Sequence, residues 1–346
     1  LVAHAERLRA AGVTADAVAA LETSVAAELD AAVEAARAQS APARSTLFDF
    51  VTRLRPERPE PPAPAADAPV FRTMDAIRAA LEVELASDEG VFVAGIDVGA
   101  GGNVFGLTRG LRDQFGERVR DTPISETAIM GLCVGAAMAG MRPVVELMYL
   151  DFVGVCLDQL LNQAAKMPFM TGGAAQMALT VRTQFGAGRS SGSQHSQSLE
   201  ALLAHIPGLS VVMPSTPADT YGLLRAAIQD PNPVVFIENR LLYGMKGPQP
   251  PADHVVPLGR SRVMREGRDV TVVSVSRMVH EAVAAAEAVA EEGVSVEVLD
   301  LRTVAPLDMG PVLASVHKTS RLLVAHEAAL PFGIGAEVAA TVAARV

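Results

Sequence analysis

Residues 121–140 read D-T-P-I-S-E-T-A-I-M-G-L-C-V-G-A-A-M-A-G, and from Thr127 to Gly140 there is no charged residue. A turn at Asp121-Thr122-Pro123 leads into a helix start with Ser125 as its N-cap. Alanine, glycine, methionine and valine fall on every face, so the pattern predicts a helix buried all round, its glycines letting neighbouring backbones approach. Glu126 is the only charge at its mouth. Two readings stand side by side. One is an acid that stabilises the helix N-terminus through the macrodipole, worth at most ~1 kcal/mol. The other is a carboxylate held in apolar surroundings, with a raised pKa and a proton to exchange. Spacing does not choose between them.

Working outward, apolar strand-like runs alternate with helical patterns. Residues 73–86 form an amphipathic helix, 91–96 a buried strand, and 107–115 a helix after a glycine-rich loop at Gly99, Gly101 and Gly102. Beyond the central helix come a strand at 143–148, a helix at 152–166 and a strand at 177–183. A polar glycine-serine loop at 185–193 leads to Gln194-His195-Ser196-Gln197 and a short helix to residue 204. Strand 209–213, helix 217–229 and strand 233–238 complete the set. Apolar strands alternating with helices imply an α/β fold with a parallel sheet covered on both faces. After a connection at 241–260, a smaller α/β unit follows: strand 270–276, helix 279–292, strand 295–301, helix 309–316, strand 321–325 and a helix from Ile334.

The N-terminal end differs. Residues 1–40 are alanine-rich and helical, broken at Gly12-Val13-Thr14, with Thr14 able to cap the second helix. Val18, Leu21, Val25, Leu29 and Val33 make one apolar stripe, and a hairpin this small needs a partner to pack on. Six prolines in the fourteen residues 56–69 mark an extended, poorly packing linker. The expected organisation is therefore a helical segment at 1–50, a linker at 51–70, an α/β domain at 71–240, a connection at 241–260 and a smaller domain at 261–346. The first residue is not methionine and the last lie inside a helical pattern, so a segment of a longer protein is expected.

Half of the 346 residues are hydrophobic and a fifth charged, which suits two α/β domains with full cores. A net charge of -10 argues against nucleic acid or an anionic membrane as partner. No apolar run reaches the ~18 residues that span a bilayer, and no signal peptide is present. Cys133 and Cys156 lie in apolar runs and read as reduced core residues of a cytoplasmic protein. The Gly99–Gly102 loop lacks G-x-G-x-x-G and a following acid, so a dinucleotide site is rejected. There is no P-loop, no histidine–cysteine metal cluster and no G-x-S-x-G. His195, in a loop beside flexible glycines, is either a satisfied surface histidine or a proton-transfer group; His4, His205, His254, His280 and His317 read as structural.

The motifs G-I-D-V-G (95–99), G-L-T-R-G-L (106–111), D-T-P-I-S-E (121–126), A-M-A-G-M-R-P-V-V-E (137–146), L-N-Q-A-A-K-M (161–167), Q-H-S-Q-S (194–198), P-G-L-S-V-V-M-P-S-T-P-A-D (207–219) and N-P-V-V-F-I-E-N (232–239) occur in order. Together they resemble the β subunit of 2-oxoacid dehydrogenases, the thiamin-dependent decarboxylating components of the pyruvate and branched-chain complexes, within the transketolase-like superfamily. The resemblance covers about residues 71–346; residues 1–50 resemble the C-terminal helices of the α subunit, as in a fused αβ chain.

The resemblance implies a fold of a pyrimidine-binding α/β domain followed by a transketolase C-terminal-like domain. It also implies the chemistry. The glutamate matching Glu126 hydrogen-bonds the aminopyrimidine of thiamin diphosphate and favours the imino tautomer that removes the thiazolium proton. Phe152 matches the aromatic that stacks on that ring. His195 matches a histidine that lines the channel and assists acyl transfer to lipoyl. A structural potassium site maps onto Leu179, Ala227, Ile228, Asp230 and Asn232. Ile96 replaces the family's usual acid, and the 184–193 loop differs in detail. The diphosphate–magnesium motif, G-D-G with an asparagine pair, is absent, so magnesium is expected on an α portion. Expected partners are that portion, in a dimer of fused chains or an α2β2 assembly, the lipoyl domain and acyltransferase core, and a small 2-oxo acid. The alternatives are a non-catalytic assembly module, disfavoured by the joint presence of Glu126, Phe152 and His195, or another transketolase-like thiamin enzyme.

Overall fold

The structure, a computed structural model, describes residues 2–188 and 190–346. The chain divides after Phe48 into a small N-terminal unit and a large one from Asp49 to Val346. The small unit holds α1 (Val2–Ala10) and α2 (Ala15–Arg37). Thr14 caps α2 as its position predicted, its hydroxyl accepting from the Ala17 amide at 3.2 Å. The stripe of Leu21, Val25, Leu29 and Val33 is exposed.

The large unit begins with the proline-rich stretch. Strand β1 (Val70–Arg72) and helix α3 (Thr73–Ser87) follow, then β2 (Val91–Gly95), α4 (Leu111–Phe115), β3 (Val119–Asp121), α5 (Glu126–Met138) and β4 (Arg142–Leu147). Next come α6 (Met167–Met170), β5 (Thr180–Phe185), α7 (Glu200–Ala204), β6 (Ser210–Val212), α8 (Pro217–Gln229), β7 (Val234–Asn239) and β8 (Lys246–Pro248). The last part contains β9 (Arg262–Arg265), β10 (Val270–Ser274), α9 (Met278–Ala290), β11 (Val296–Asp300), β12 (Thr303–Ala305), α10 (Met309–Thr319), β13 (Leu322–Ala325) and α11 (Ile334–Arg345).

The main sheet has seven strands in the order β12-β6-β7-β5-β4-β2-β3, parallel except for β12. A second sheet runs β13-β10-β11-β9, with β9 antiparallel. Side chains of a strand alternate between faces, and β2 shows it: Val91 and Val93 enter one core, with Ile77, Leu81 and Leu224, while Phe92 and Ala94 enter another, with Met130, Cys133 and Leu160. Helices cover both faces, which is why these strands read as unbroken apolar runs. Gly95 closes β2 where a Cβ would sit 2.6 Å from the Cβ of Glu146 on β4, so only glycine fits there.

Four expectations are corrected. Helix α5 is not buried all round. Ile129, Met130, Cys133, Val134 and Ala137 form its buried stripe, while Leu132 (53% exposed) and Met138 (41%) line an open face. Ser125 precedes the helix, but its side chain makes no capping bond. Residues 152–166 are not one helix: a 3-10 segment spans Leu150–Val155 and a π segment Gln159–Ala164. The Thr127 hydroxyl takes the Val155 carbonyl at 2.6 Å, and the Gln159 amide that would have used it turns to Cys156 at 3.1 Å.

Finally, the proline-rich stretch packs, because its charged side chains find buried partners. Arg55 pairs with Asp230 at 2.5 Å and Glu60 with Arg302 at 2.7 Å. The glycine-rich 185–193 loop includes Arg189, which lies outside the described residues.

Candidate active site at the sheet edge

In parallel α/β sheets, sites collect at the carboxyl ends of the strands. Here Gly95, Leu147, Phe185 and Asn239 end β2, β4, β5 and β7 on one edge. From β4 the chain turns through Tyr149, a non-glycine residue at φ +73°, into the segment that carries Phe152. Three rings meet there edge to face. His195 lies 4.7 Å from Tyr149 and 5.4 Å from Phe152, with Tyr149 and Phe152 6.5 Å apart. Such pairs are worth about 0.5–1.5 kcal/mol beyond area burial.

The His195 loop is held from two sides. One oxygen of Asp151 accepts from the backbone amides of Ser196 (3.2 Å) and Gln197 (3.1 Å) and from the Gln197 side chain (3.0 Å). Arg240, just beyond β7, donates to the carbonyls of His195 (2.7 Å) and Gly186 (2.9 Å). Its guanidinium also lies over the Tyr149 ring, 5.1 Å from the centroid. His195 is thus a loop residue with a fixed backbone.

Glu126 opens α5 half-buried, and among the described residues its side chain makes no hydrogen bond. Thr127 pins this first turn to Val155, three residues beyond Phe152. Burial first, and the Glu126 charge second, push the Cys156 thiol up to about 12. Burial does the same to Cys133. Both are free thiols locked in the core. Around this mouth the surface is apolar and open: Ile124, Leu132, Val155 and Met138 are exposed. Ile96 lies partly buried against the adjoining core.

Below the edge lies a buried polar network that reading the sequence missed. Arg182 donates to Glu146 at 2.7 Å and to both oxygens of Glu238 at 2.7 and 3.0 Å. Gln184 and Asn103 donate to the other oxygen of Glu146 at 2.5 and 3.1 Å, and Tyr243 donates to Glu238 at 2.8 Å. Burial drives the Glu146 pKa up despite the arginine beside it. For Arg182, burial works against the charge, but Glu146 and Glu238 outweigh it and hold the pKa above its usual range. Burial also holds the Tyr243 hydroxyl well above its ordinary value. Gln184 links this network to the ring cluster by accepting from the Tyr149 amide at 3.4 Å. The available signal was three charges inside apolar strands, P-V-V-E-L, T-V-R-T and V-F-I-E-N, with both glutamates one residue from a strand's carboxyl end.

Of the residues expected to hold potassium, Leu179 lies just before β5, while Ala227, Ile228, Asp230 and Asn232 run from the last turn of α8 toward β7, and several of their oxygens accept hydrogen bonds. Asp230 accepts from the Asn232 amide and side chain, both at 2.8 Å, and from Arg55 at 2.5 Å. The carbonyls of Leu179, Ala227 and Ile228 accept from Val234 (2.9 Å), Asp230 (3.2 Å) and Arg142 (3.4 Å). A guanidinium already neutralises the one carboxylate of the set. Among the described residues no group of three or more acidic, histidine or cysteine side chains is placed to hold a metal.

Two family models match the chain: transketolase, pyrimidine binding domain, over residues 70–246, and transketolase, C-terminal domain, over 259–346. The acetoin:2,6-dichlorophenolindophenol oxidoreductase β subunit of Cupriavidus necator is 46% identical over 278 residues, covering 78% of this chain and 82% of that protein. The 2-oxoisovalerate dehydrogenase β subunit of Bacillus subtilis is 44% identical over 275 residues, covering 79% and 84%. The pyruvate dehydrogenase β subunit of the same organism is 44% identical over 271 residues, covering 78% and 83%. Among solved structures, a split-gene transketolase, an inactive beta4 tetramer, aligns with a TM-score of 0.67 at 22% identity, over 80% of this chain and 86% of that one. The last likeness speaks for the fold alone. The domain pair and the identity to several β subunits together make this chain a member of the transketolase-like family of dehydrogenase β subunits, a thiamin diphosphate enzyme family.

Proposed function

We propose that this chain is the β portion of an enzyme that oxidatively decarboxylates a 2-oxo acid with thiamin diphosphate and passes the acyl group to a lipoyl group. The observation that carries this reading is the conjunction at one sheet edge of a lone carboxylate opening a charge-free helix with the Phe152–His195 pair. These residues fit the aminopyrimidine end of the cofactor. The Glu126 side chain is a half-buried acceptor without a hydrogen bond among the described residues, and its neighbour Thr127 is bonded to Val155 on the segment that carries Phe152. The sequence carries no G-D-G with an asparagine pair, the motif that would hold the diphosphate and its magnesium. An α portion carrying the magnesium ligands is the partner this implies, in an α2β2 assembly or a dimer of fused chains. The open apolar face of α5 supports such a partner.

Within that assembly Glu126 meets a ring nitrogen with its carboxyl group, and a partner over the α5 face excludes water from it. Phe152 fixes the plane of the ring. His195, its backbone clamped by Asp151 and Arg240, is positioned to move a proton during acyl transfer at the channel. The cofactor, when bound, supplies the electron sink for loss of carbon dioxide. Two locked thiols suit a reducing cytoplasm; no helix among the described residues is long and apolar enough to cross a membrane.

A second substrate reading has its own support, because two relatives at 45–46% identity are named for acetoin. The test is the assembled enzyme with pyruvate, branched-chain 2-oxo acids and acetoin, scored separately by dye reduction and by acylation of a lipoyl domain. Turnover of one of them that requires thiamin diphosphate is expected, and none with any would overturn the reading. His195→Ala is expected to slow lipoyl acylation about 10²-fold and dye reduction much less. Equal losses in both would make His195 structural.

A further inference from the structure

We propose that Arg55, carried on the proline-rich stretch, is the resident cation of the turn between α8 and β7, so that this turn is ordered without a metal ion. The need for a cation is plain. Asp230 is almost wholly buried (4% exposed), and a buried carboxylate without a counter-charge is costly to keep. Its Oδ1 is spent on the Asn232 amide and side chain. Its Oδ2 receives the Nε of Arg55 at 2.5 Å, and the same guanidinium reaches the hydroxyl of Ser210 on β6 through Nη2.

The neighbouring residue makes the docking two-pointed. Arg53 donates its backbone amide to the Asn232 side chain at 2.6 Å and accepts from that side chain at 3.1 Å. Its guanidinium donates to the Gly173 carbonyl at 2.5 Å. Asn232 therefore has both ends of its amide committed to this stretch. The carbonyls that would complete an oxygen cage accept instead from Val234, Asp230 and Arg142. A directional guanidinium uses a carboxylate and a hydroxyl; a bare hard cation needs several free oxygens at once. This turn offers the first.

The test uses the full chain in its assembled form. Thermal unfolding is followed in potassium, sodium and choline chloride at equal ionic strength. The wild-type midpoint is expected to be the same in all three. Arg55→Ala is expected to drop the midpoint in choline by roughly 5 °C or more, with potassium restoring part of the loss and Arg55→Lys losing less than Arg55→Ala. A saturable, potassium-specific rise of the wild-type midpoint would overturn the proposal, as would an Arg55→Ala protein as stable as wild type in choline. If Arg55→Ala does not fold in any salt, the wild-type comparison alone decides, equal midpoints upholding the proposal and a potassium-specific rise overturning it.

Discussion

Replacing Glu126 by glutamine is expected to lower turnover of the assembled enzyme about 10²–10⁴-fold, the usual share of a positioned general acid–base group. Glutamine has the shape of glutamate and can still meet a ring nitrogen, but it has no proton to exchange. The fold is expected to tolerate the change, since Glu126 is half-buried and its side chain makes no hydrogen bond among the described residues. Its only resolved influence is on the Cys156 thiol, which the substitution relieves of a nearby negative charge. Turnover is measured at saturating cofactor, with circular dichroism and assembly checked alongside. Activity within a few-fold of wild type would sink the assignment of Glu126.

The second large effect is on stability. Arg182→Leu removes the single cation between two buried carboxylates, and loss of one partner from a buried pair costs about 3–5 kcal/mol. With the arginine gone, Glu146 and Glu238 face each other across the sheet. Glu146, which burial already pushes up against the pull of Arg182, is expected to titrate further above its unfolded value. The folded state then binds more protons than the unfolded state, so stability falls as pH rises. The deficit against wild type is therefore expected to be largest near pH 8 and to narrow toward pH 5.5, read from urea midpoints. Adding Glu146→Gln and Glu238→Gln to Arg182→Leu is expected to recover part of the loss, since an amide leaves no uncompensated charge. A deficit that does not change with pH would show that the network is not held by charge.

Local pattern carried much of this fold. Helix α8 is legible to the residue at Pro217–Gln229 because Thr216 accepts from the Asp219 amide at 3.1 Å and proline fills the first helical position. The central strands are legible because both their faces are covered. What escaped depends on partners far along the chain. Residues 152–166 look helical until Thr127 captures the Val155 carbonyl. Prolines 56–69 look like loose linker until Arg55 and Glu60 reach Asp230 and Arg302. The charges of Glu146, Arg182 and Glu238 cancel only once three strands lie side by side. Glu126 stood out from its own neighbourhood. The pairing of Phe152 with His195 did not, for nothing local relates two residues on separate loops; the resemblance to a family brought them forward.

Strand β12 restricts how this enzyme can move. It belongs in sequence to the C-terminal domain yet pairs with β6 in the main sheet, Thr303 opposite Val212 and Ala305 opposite Val211. The Arg302 carbonyl accepts from Met213 at 2.8 Å, and Asp300 accepts from the Ser215 hydroxyl at 2.5 Å. A hinge between the domains would have to tear these bonds and wet a shared core. Rocking of one domain against the other is thus closed off as a way of admitting substrate. Amide exchange would register this as common, slow protection of Met213 and the β6–β12 pairs; early exchange at β12 would mean that the seam opens after all.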